Sequence, residues 1–195
     1  MIAAINSEGP RWSVRGVVDD APSEQNLQRL ASRGTPYLGT VTDFLQRPSA
    51  NWFVVGIGSP TVRGRLAAQL AGAGLKPATL VHPAATFGQG GSIGAGTVVC
   101  AGVAVSTCVM LGAHVHLNPN ATVGHDSRLN DLVSVNPGAI ISGDCVIGTR
   151  CLVGAGAVVL QGLEVGADSL VGAAACVTRG VPSGVVVKGV PGRWA

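Results

Sequence analysis

One histidine of this sequence stands where a proton-transfer group could work. His125 is followed directly by Asp126, at the end of a stretch that begins at Asn118. Because the pKa of an imidazole is close to neutral, a histidine can take a proton from an attacking amine or hydroxyl and contribute about 10²–10⁴-fold to a rate. Spacing alone leaves a second interpretation open, in which the two side chains form an exposed pair in a surface turn.

A second set of candidates lies in the N-terminal third of the chain. Residues 13–18 and 52–57 are typical of β-strands, and the apolar spacing over residues 61–73 predicts a helix capped by Thr61. Alternating strands and helices predict a small parallel α/β unit, whose ligands bind at the carboxyl ends of its strands. The residues at those ends are Asp19, Asp20, Gly58 and Ser59. For the two aspartates, capping of a helix or turn is the alternative role.

The elements that must position His125 follow from a repeat of six residues. Every sixth residue from Val81 to Val177 is large and apolar. The residue four positions later is mostly small, as at Ala121, and the residue directly after it is often glycine, as at Gly124. A period of six fits neither an α-helix of about 3.6 residues per turn nor a coiled coil with a repeat of about seven. It predicts short strands joined by tight turns, with glycine supplying turn conformations that a Cβ would obstruct.

Three such strands close one coil of a triangular prism, so each residue lies beneath the residue at the same position of the next coil, three repeats later. Successive coils then pair as parallel strands about 4.8 Å apart. We therefore predict a mainly β fold, a parallel β-helix, in which Gly143 lies over His125 and Asn136 over Asn118. Asn118 has two possible roles, a hydrogen-bonded ladder with Asn136 or a contact to substrate.

The composition excludes several classes of function. The chain has 12% charged and 47% hydrophobic residues and a formal net charge of +3, with no two adjacent Lys or Arg residues. It therefore lacks the basic surface of a nucleic-acid-binding protein. The apolar stretches fall short of the roughly 20 residues that span a bilayer, and the N-terminus lacks the regions of a signal peptide, so we expect a cytoplasmic protein without a membrane partner.

Neither a disulfide framework nor a metal site is expected. No C-x-x-C pair occurs among the five cysteines, which we interpret as small buried apolar residues: Cys100, Cys108, Cys145, Cys151 and Cys176. No two of the four histidines are separated by a whole number of coils, so they do not stack on one edge of the prism as zinc ligands would.

The chain resembles the left-handed β-helix acyltransferases, and among them the NeuD-type sugar acetyltransferases. The similarity lies in the stretches Val81–Ala85, Asn118–Asp126, Asn136–Ala139, Val153–Ala157 and Lys188–Gly192. It implies a left-handed helix, a homotrimer, and acetyl-CoA bound in the cleft between neighbouring prisms. It also implies a Rossmann-like N-terminal domain that holds a sugar or nucleotide-sugar acceptor. The predicted domains are residues 1–77, a partial acceptor-binding domain, and residues 78–195, the acetyltransferase domain.

The resemblance assigns roles to single residues. His125 occupies the position of the general base, and Asp126 that of the acidic residue that orients the imidazole and raises its basicity. The implied contacts to coenzyme A are Ser134, Gly143, Ala155 and Ala173. Among these, Gly143 is expected to turn its N–H towards the thioester oxygen, and the two alanines to bond the pantetheine arm through their main chain. The implied contacts to the acceptor are Asp19, Asp20, Gly58 and Asn118.

The N-terminal segment departs from the family pattern, since the family's Gly-rich strand–turn–helix is absent from the sequence. Residues 1–7 are similar to the tail of the family's first helix. We therefore expect either an upstream segment of roughly 20 to 30 residues or an altered acceptor site.

The predicted function is acetyl-CoA-dependent transfer of an acetyl group to an amino or hydroxyl group of a nucleotide-linked sugar, with no metal cofactor. Two alternatives stay open. One is a catalytically silent trimer that binds a sugar nucleotide or acts as a scaffold. The other is acyl transfer to a non-sugar acceptor, such as serine or a lipid precursor.

Overall fold

The computed structural model describes residues 1–8 and 12–194, which form a small N-terminal part and a C-terminal parallel β-helix. The helices are α1 Ile2–Ile5, α2 Glu24–Ser32, α3 Val41–Gln46 and α4 Pro60–Gly72, with a 3₁₀ turn at Asn6–Glu8. Two short parallel strands, β1 Trp52–Phe53 and β2 Lys76–Pro77, lie before and after α4. The N-terminal part thus alternates helices with short strands.

The sequence prediction is wrong in three details of this part, one being that the strand predicted over residues 52–57 spans only Trp52–Phe53. Ser59 caps α4 in place of Thr61, because the Ser59 Oγ accepts a hydrogen bond from Val62 N at 3.5 Å. Residues 13–18 form only an isolated parallel bridge, through Val17, and no regular strand within the described ranges.

Eighteen two-residue strands build the β-helix and lie on the three faces of a triangular prism. The first face contains β3 Leu80–Val81, β6 Val98–Val99, β9 His116–Leu117, β12 Ser134–Val135, β15 Leu152–Val153, β18 Leu170–Val171 and β20 Val186–Val187. The second contains β4 Thr86–Phe87, β7 Ala104–Val105, β10 Thr122–Val123, β13 Ile140–Ile141, β16 Val158–Val159 and β19 Cys176–Val177. The third contains β5 Ser92–Ile93, β8 Met110–Leu111, β11 Arg128–Leu129, β14 Val146–Ile147 and β17 Glu164–Val165.

Strand pairing follows the predicted step of one coil, or three repeats, as where Thr122 pairs with Ile140. From β6 onward, the second residue of each strand lies in the core with a relative exposure of 6% or less. The last coil is shorter than the others. Leu170 pairs with Val186, whereas the regular step of three repeats would pair it with Lys188, which is exposed. The predicted mainly β fold, a parallel β-helix, is confirmed.

The corners of the prism correct our interpretation of the glycines. A positive φ recurs at every sixth residue from Gly90 to Ala174, three positions after each core side chain. The glycines directly after the core side chains serve close packing instead. A Cβ on Gly154 would lie 2.5 Å from Ala173 N in the next coil. These glycines therefore let two coils approach each other, and the left-handed turn falls two residues later.

Small residues fill the inside of the corners and link one coil to the next. The Ser127 hydroxyl donates to Ser142 O at 3.0 Å and accepts from Cys145 N at 3.1 Å. Cys145 and Cys151 are buried, as predicted, whereas Cys108 is exposed at a corner, where the prediction is wrong. The hydroxyl contacts satisfy backbone groups that the turn would otherwise leave buried and unpaired.

The N-terminal part packs against the first face of the prism. The Phe53 ring stacks on the His114 imidazole with centroids 6.2 Å apart and an interplanar angle of 17°. His116 and Ser134, whose side chains point out of the first face, are covered by other residues of the N-terminal part and are 9% and 1% exposed. The part of the first face around β9 and β12 is therefore an internal surface of the folded chain, whereas Leu170 and Val186 farther along this face are exposed.

Candidate active site

His125 lies at the corner between the second and third faces, between β10 and β11. Its Nδ1 lies 2.8 Å from Asp126 Oδ2, and the two side chains are 51% and 59% exposed. Since a carboxylate accepts hydrogen bonds, Nδ1 donates to Asp126 and the lone pair of Nε2 stays free. Asp126 can take this place because its φ of +59° is one that aspartate tolerates better than most residues. The corner thus presents an imidazole whose tautomer is set by its neighbour.

Gly143 covers the imidazole from the next coil, in the predicted stacking. A Cβ on Gly143 would lie 2.5 Å from His125 Nε2 and 2.7 Å from its Cε1, so only glycine leaves room for the ring. The Gly143 N–H has no hydrogen-bond acceptor within residues 1–8 and 12–194. The site therefore combines a free imidazole nitrogen with a nearby unpaired N–H, which is what proton removal and oxyanion binding require.

Ala155 and Ala173 stack on another corner, between the first and second faces, which also holds Asn118. Both alanines are exposed, and neither N–H meets an acceptor in the part of the chain that the structure describes. These groups can donate hydrogen bonds to a ligand. A single chain, however, places them on a different edge of the prism from His125.

Ser134 has a contact that the sequence did not indicate. It is 1% exposed, and its hydroxyl donates to Gly58 O at 3.1 Å and accepts from Arg63 Nη2 at 2.9 Å. These bonds lie between the N-terminal part and the first face. Because the hydroxyl is enclosed there, we leave Ser134 out of the cofactor site that we propose.

The Asn118 amide is hydrogen-bonded to residues of the next coil. Its Nδ2 donates to Val135 O at 3.0 Å and to Asn136 Oδ1 at 3.3 Å. The predicted ladder with Asn136 is therefore present. A contact from Asn118 to substrate stays a prediction.

Asp19 and Asp20 line a cleft of about 980 Å³ in the N-terminal part, together with Gly56 and Ile57. Each carboxylate also satisfies a backbone donor, since Asp19 Oδ1 accepts from Ala21 N at 3.0 Å and Asp20 Oδ1 accepts from the first residue of α3 at 2.8 Å. The capping role is thus observed, and the other oxygen of each carboxylate has no hydrogen-bond donor among residues 1–8 and 12–194. Gly58 directly follows Ile57 in the chain, and its carbonyl oxygen accepts a hydrogen bond from Ser134 Oγ.

Two buried polar residues were missed by the sequence analysis. Arg63 is 0% exposed, and burial lowers the pKa of its guanidinium to about 10. Burial and then the positive charge of Arg63 lower the pKa of His116 to about 4, and His116 Nε2 has no partner within the described ranges. The sequence signal for the burial of Arg63 was its helical spacing, because it lies on the same buried face of α4 as Ala67 and Leu70.

The described residues include no cluster of three or more His, Cys, Asp or Glu side chains that could hold a metal ion. Within the same ranges, no helix has the length and apolar character needed to cross a membrane.

The chain is similar to several proteins of known activity, although no protein-family model matches it. Among curated proteins it is 34% identical to GDP-perosamine N-acetyltransferase of Escherichia coli O157:H7 over 92 residues. This alignment covers 47% of the chain and 42% of that protein, so it spans less than half of the relative's length.

Two solved structures are similar over most of the chain. The acetyltransferase domain of PglB from Neisseria gonorrhoeae, in complex with acetyl coenzyme A, has a TM-score of 0.84 and 30% identity, covering 99% of this chain and 90% of that one. A histidine-to-asparagine variant of perosamine N-acetyltransferase from Caulobacter crescentus, in complex with CoA and GDP-perosamine, has a TM-score of 0.84 and 29% identity, covering 92% and 84%. The chain therefore belongs to the hexapeptide-repeat β-helix sugar acetyltransferases, which confirms the family resemblance.

The burial of His116 predicts a pH dependence of stability. Because its folded pKa of about 4 lies below the usual value, the unfolded chain takes up the proton more readily. The stabilisation is complete above about pH 6.5 and is lost as the pH falls towards 4, by about 3 kcal/mol in total. Urea unfolding of wild type and His116→Leu between pH 4 and 7.5 measures this, and the variant should lose most of the slope. Parallel profiles for the two proteins would contradict the assignment.

Proposed function

We propose that the protein transfers an acetyl group from acetyl-CoA to the amino group of a nucleotide-linked sugar. The observation that carries the proposal is the His125–Asp126 pair, joined at 2.8 Å at an exposed corner beneath Gly143. It is supported by family membership, since the similar proteins are named as N-acetyltransferases of perosamine and as an acetyltransferase domain.

The residues have distinct tasks in this reaction. His125 Nε2 takes a proton from the acceptor amine as its nitrogen forms a bond to the thioester carbonyl carbon. Asp126 holds the imidazole in the required tautomer and stabilises the imidazolium that forms. The Gly143 N–H donates to the oxygen that gains negative charge. When the carbon–sulfur bond breaks, the imidazolium returns its proton and coenzyme A leaves as the thiol.

The placement of the predicted contacts favours a homotrimer. Ala155 and Ala173 lie on one edge of the prism and His125 on another, so a cofactor that touches both sets would lie between two copies. The second and third faces carry exposed apolar side chains at β13 and β14, where Ile140 is 42% and Val146 is 39% exposed. Burying such side chains between copies would stabilise the assembly.

We place the acceptor in the cleft of the N-terminal part, on the proposed division of the chain into residues 1–77 and 78–195. The cleft has a volume of about 980 Å³, which suits a nucleotide-sized ligand, and Asp19 and Asp20 offer free carboxylate oxygens for sugar hydroxyls or an amine. Gly58 lies at its edge towards the β-helix.

Removal of the imidazole should stop the transfer. His125→Ala and His125→Asn should lower kcat by about 10²–10⁴-fold, because no other group takes the amine proton, while acetyl-CoA binding by calorimetry stays within twofold. Release of the coenzyme A thiol with a panel of GDP- and UDP-linked amino sugars measures the rate. His82→Ala, which removes a corner histidine elsewhere in the prism, is the control and should keep wild-type kcat.

Two results would count against the proposal. Full activity of both His125 variants would remove the histidine from the mechanism. A wild-type protein that binds acetyl-CoA but never releases thiol across the panel would favour the silent trimer, and release only with serine or a lipid precursor would favour the non-sugar acceptor.

A side chain at position 143 should displace the imidazole. Gly143→Ala should lower kcat by about 100-fold, because the nearest atoms to the new Cβ all belong to the His125 ring. The clash should vanish in the double variant His125→Ala/Gly143→Ala, which should unfold at the same temperature as His125→Ala. Gly72→Ala is the matched control, since a Cβ there meets no atom within 4 Å. Wild-type kcat for Gly143→Ala would contradict the packing argument.

A further inference from the structure

Arg63 of α4 is fully buried without a carboxylate. Its relative exposure is 0%, and no ion pair to it occurs within the described part of the chain. A guanidinium has five N–H donors, and a buried charge is costly unless those donors are satisfied. Its surroundings must therefore supply several acceptors at fixed positions.

The acceptors come from both parts of the chain. From the N-terminal part, Arg63 Nη1 donates to Ile57 O at 2.9 Å and to Gly58 O at 3.2 Å. From the β-helix, Nε donates to His114 O at 3.0 Å and Nη2 donates to Leu132 O at 2.6 Å. The side chain is thus hydrogen-bonded across the contact between the two parts.

Ser134 closes this network. Arg63 Nη2 donates to Ser134 Oγ at 2.9 Å, and Ser134 Oγ donates to Gly58 O, which also accepts from Arg63. A planar guanidinium fixes both distance and direction in such a set of bonds. Apolar contact is non-directional and lets two surfaces shift against each other. The polar network therefore fixes the position of the turn at residues 56–58.

The bonded groups include the ends of one particular coil. His114 and Leu132 occupy the same position in successive coils and stack on the same corner, and His125 lies on the coil between them. Arg63 therefore holds both ends of the coil that carries His125. On its other side it holds the turn 56–58, whose first two residues line the cleft.

We propose that Arg63 is a positioning residue for the transfer reaction, which fixes the acceptor cleft in relation to the coil that carries His125. This inference rests on the proposed function and gives Arg63 no contact with either substrate. A looser turn at residues 56–58 would let the acceptor cleft shift against the prism. The acceptor amine would then move away from the His125 Nε2 that it meets between copies in the proposed trimer, while the acetyl-CoA contacts on the prism stay in place.

The test compares Arg63→Lys, Ser134→Ala and the control Arg150→Met. Lysine keeps the charge but cannot reach all the acceptors at once, and Ser134→Ala removes one side of the network without adding bulk. Arg150→Met removes an arginine that forms two bonds to Asp168, at 2.6 and 2.7 Å on the surface. Backbone NMR order parameters report on the mobility of residues 56–58, and initial rates report KM for each substrate separately.

For Arg63→Lys we expect lower order parameters at residues 56–58 and a KM for the amino-sugar acceptor raised about tenfold or more, with the KM for acetyl-CoA changed less than twofold. Ser134→Ala should shift the same two quantities less, and Arg150→Met should shift neither. If Arg63→Lys does not fold, the Ser134→Ala result decides.

Unchanged order parameters at residues 56–58, or equal changes in both KM values, would overturn the positioning role while the His125 mechanism stands. A wild-type protein without turnover on any acceptor would instead overturn the proposed function, and with it the acceptor role assigned to this network.

Discussion

Parallel pairing between equivalent positions of successive coils is the constraint on which the rest of the structure depends. Each strand contributes only two residues, so a slip of one position would turn the core side chain to the outside and the outer one to the core. The register is therefore strictly fixed. It stacks chosen residues directly above one another, which brings Gly143 onto the His125 ring and Asn136 onto the Asn118 amide.

The same constraint leaves the candidate catalytic and binding groups at the corners of the prism. The strands direct their hydrogen bonds to neighbouring coils, and their inner residues fill a narrow apolar core. Corner residues after each core side chain are the ones left with free side chains and unpaired N–H groups, and these include His125, Gly143 and Ala155. Because the three corners are separate edges, one chain offers the proposed base and the proposed cofactor contacts on different edges, and the proposed assembly of copies would combine them.

The sequence predicted the features that the six-residue repeat determines and missed features that depend on other contacts. The fold, the stacking of Gly143 over His125 and the Asn118 ladder all follow from the six-residue repeat and from the three repeats that make one coil. The predicted role of the glycines directly after the core side chains was wrong, because spacing does not distinguish a need for positive φ from a need for close contact between coils. The domain contact was missed, since Arg63 and Ser134 gain their partners only when α4 packs on the first face. A charged residue at an apolar helical position was the available signal.

The most direct test of the account is a crystal structure of the protein with acetyl-CoA. We expect the pantetheine arm along Ala155 and Ala173 of one copy, and the thioester carbonyl about 3–3.5 Å from the reacting groups, beside His125 Nε2 and the Gly143 N–H of the adjacent copy. Acetyl-CoA bound on a single chain, with its thioester far from every copy of His125, would contradict the central claim.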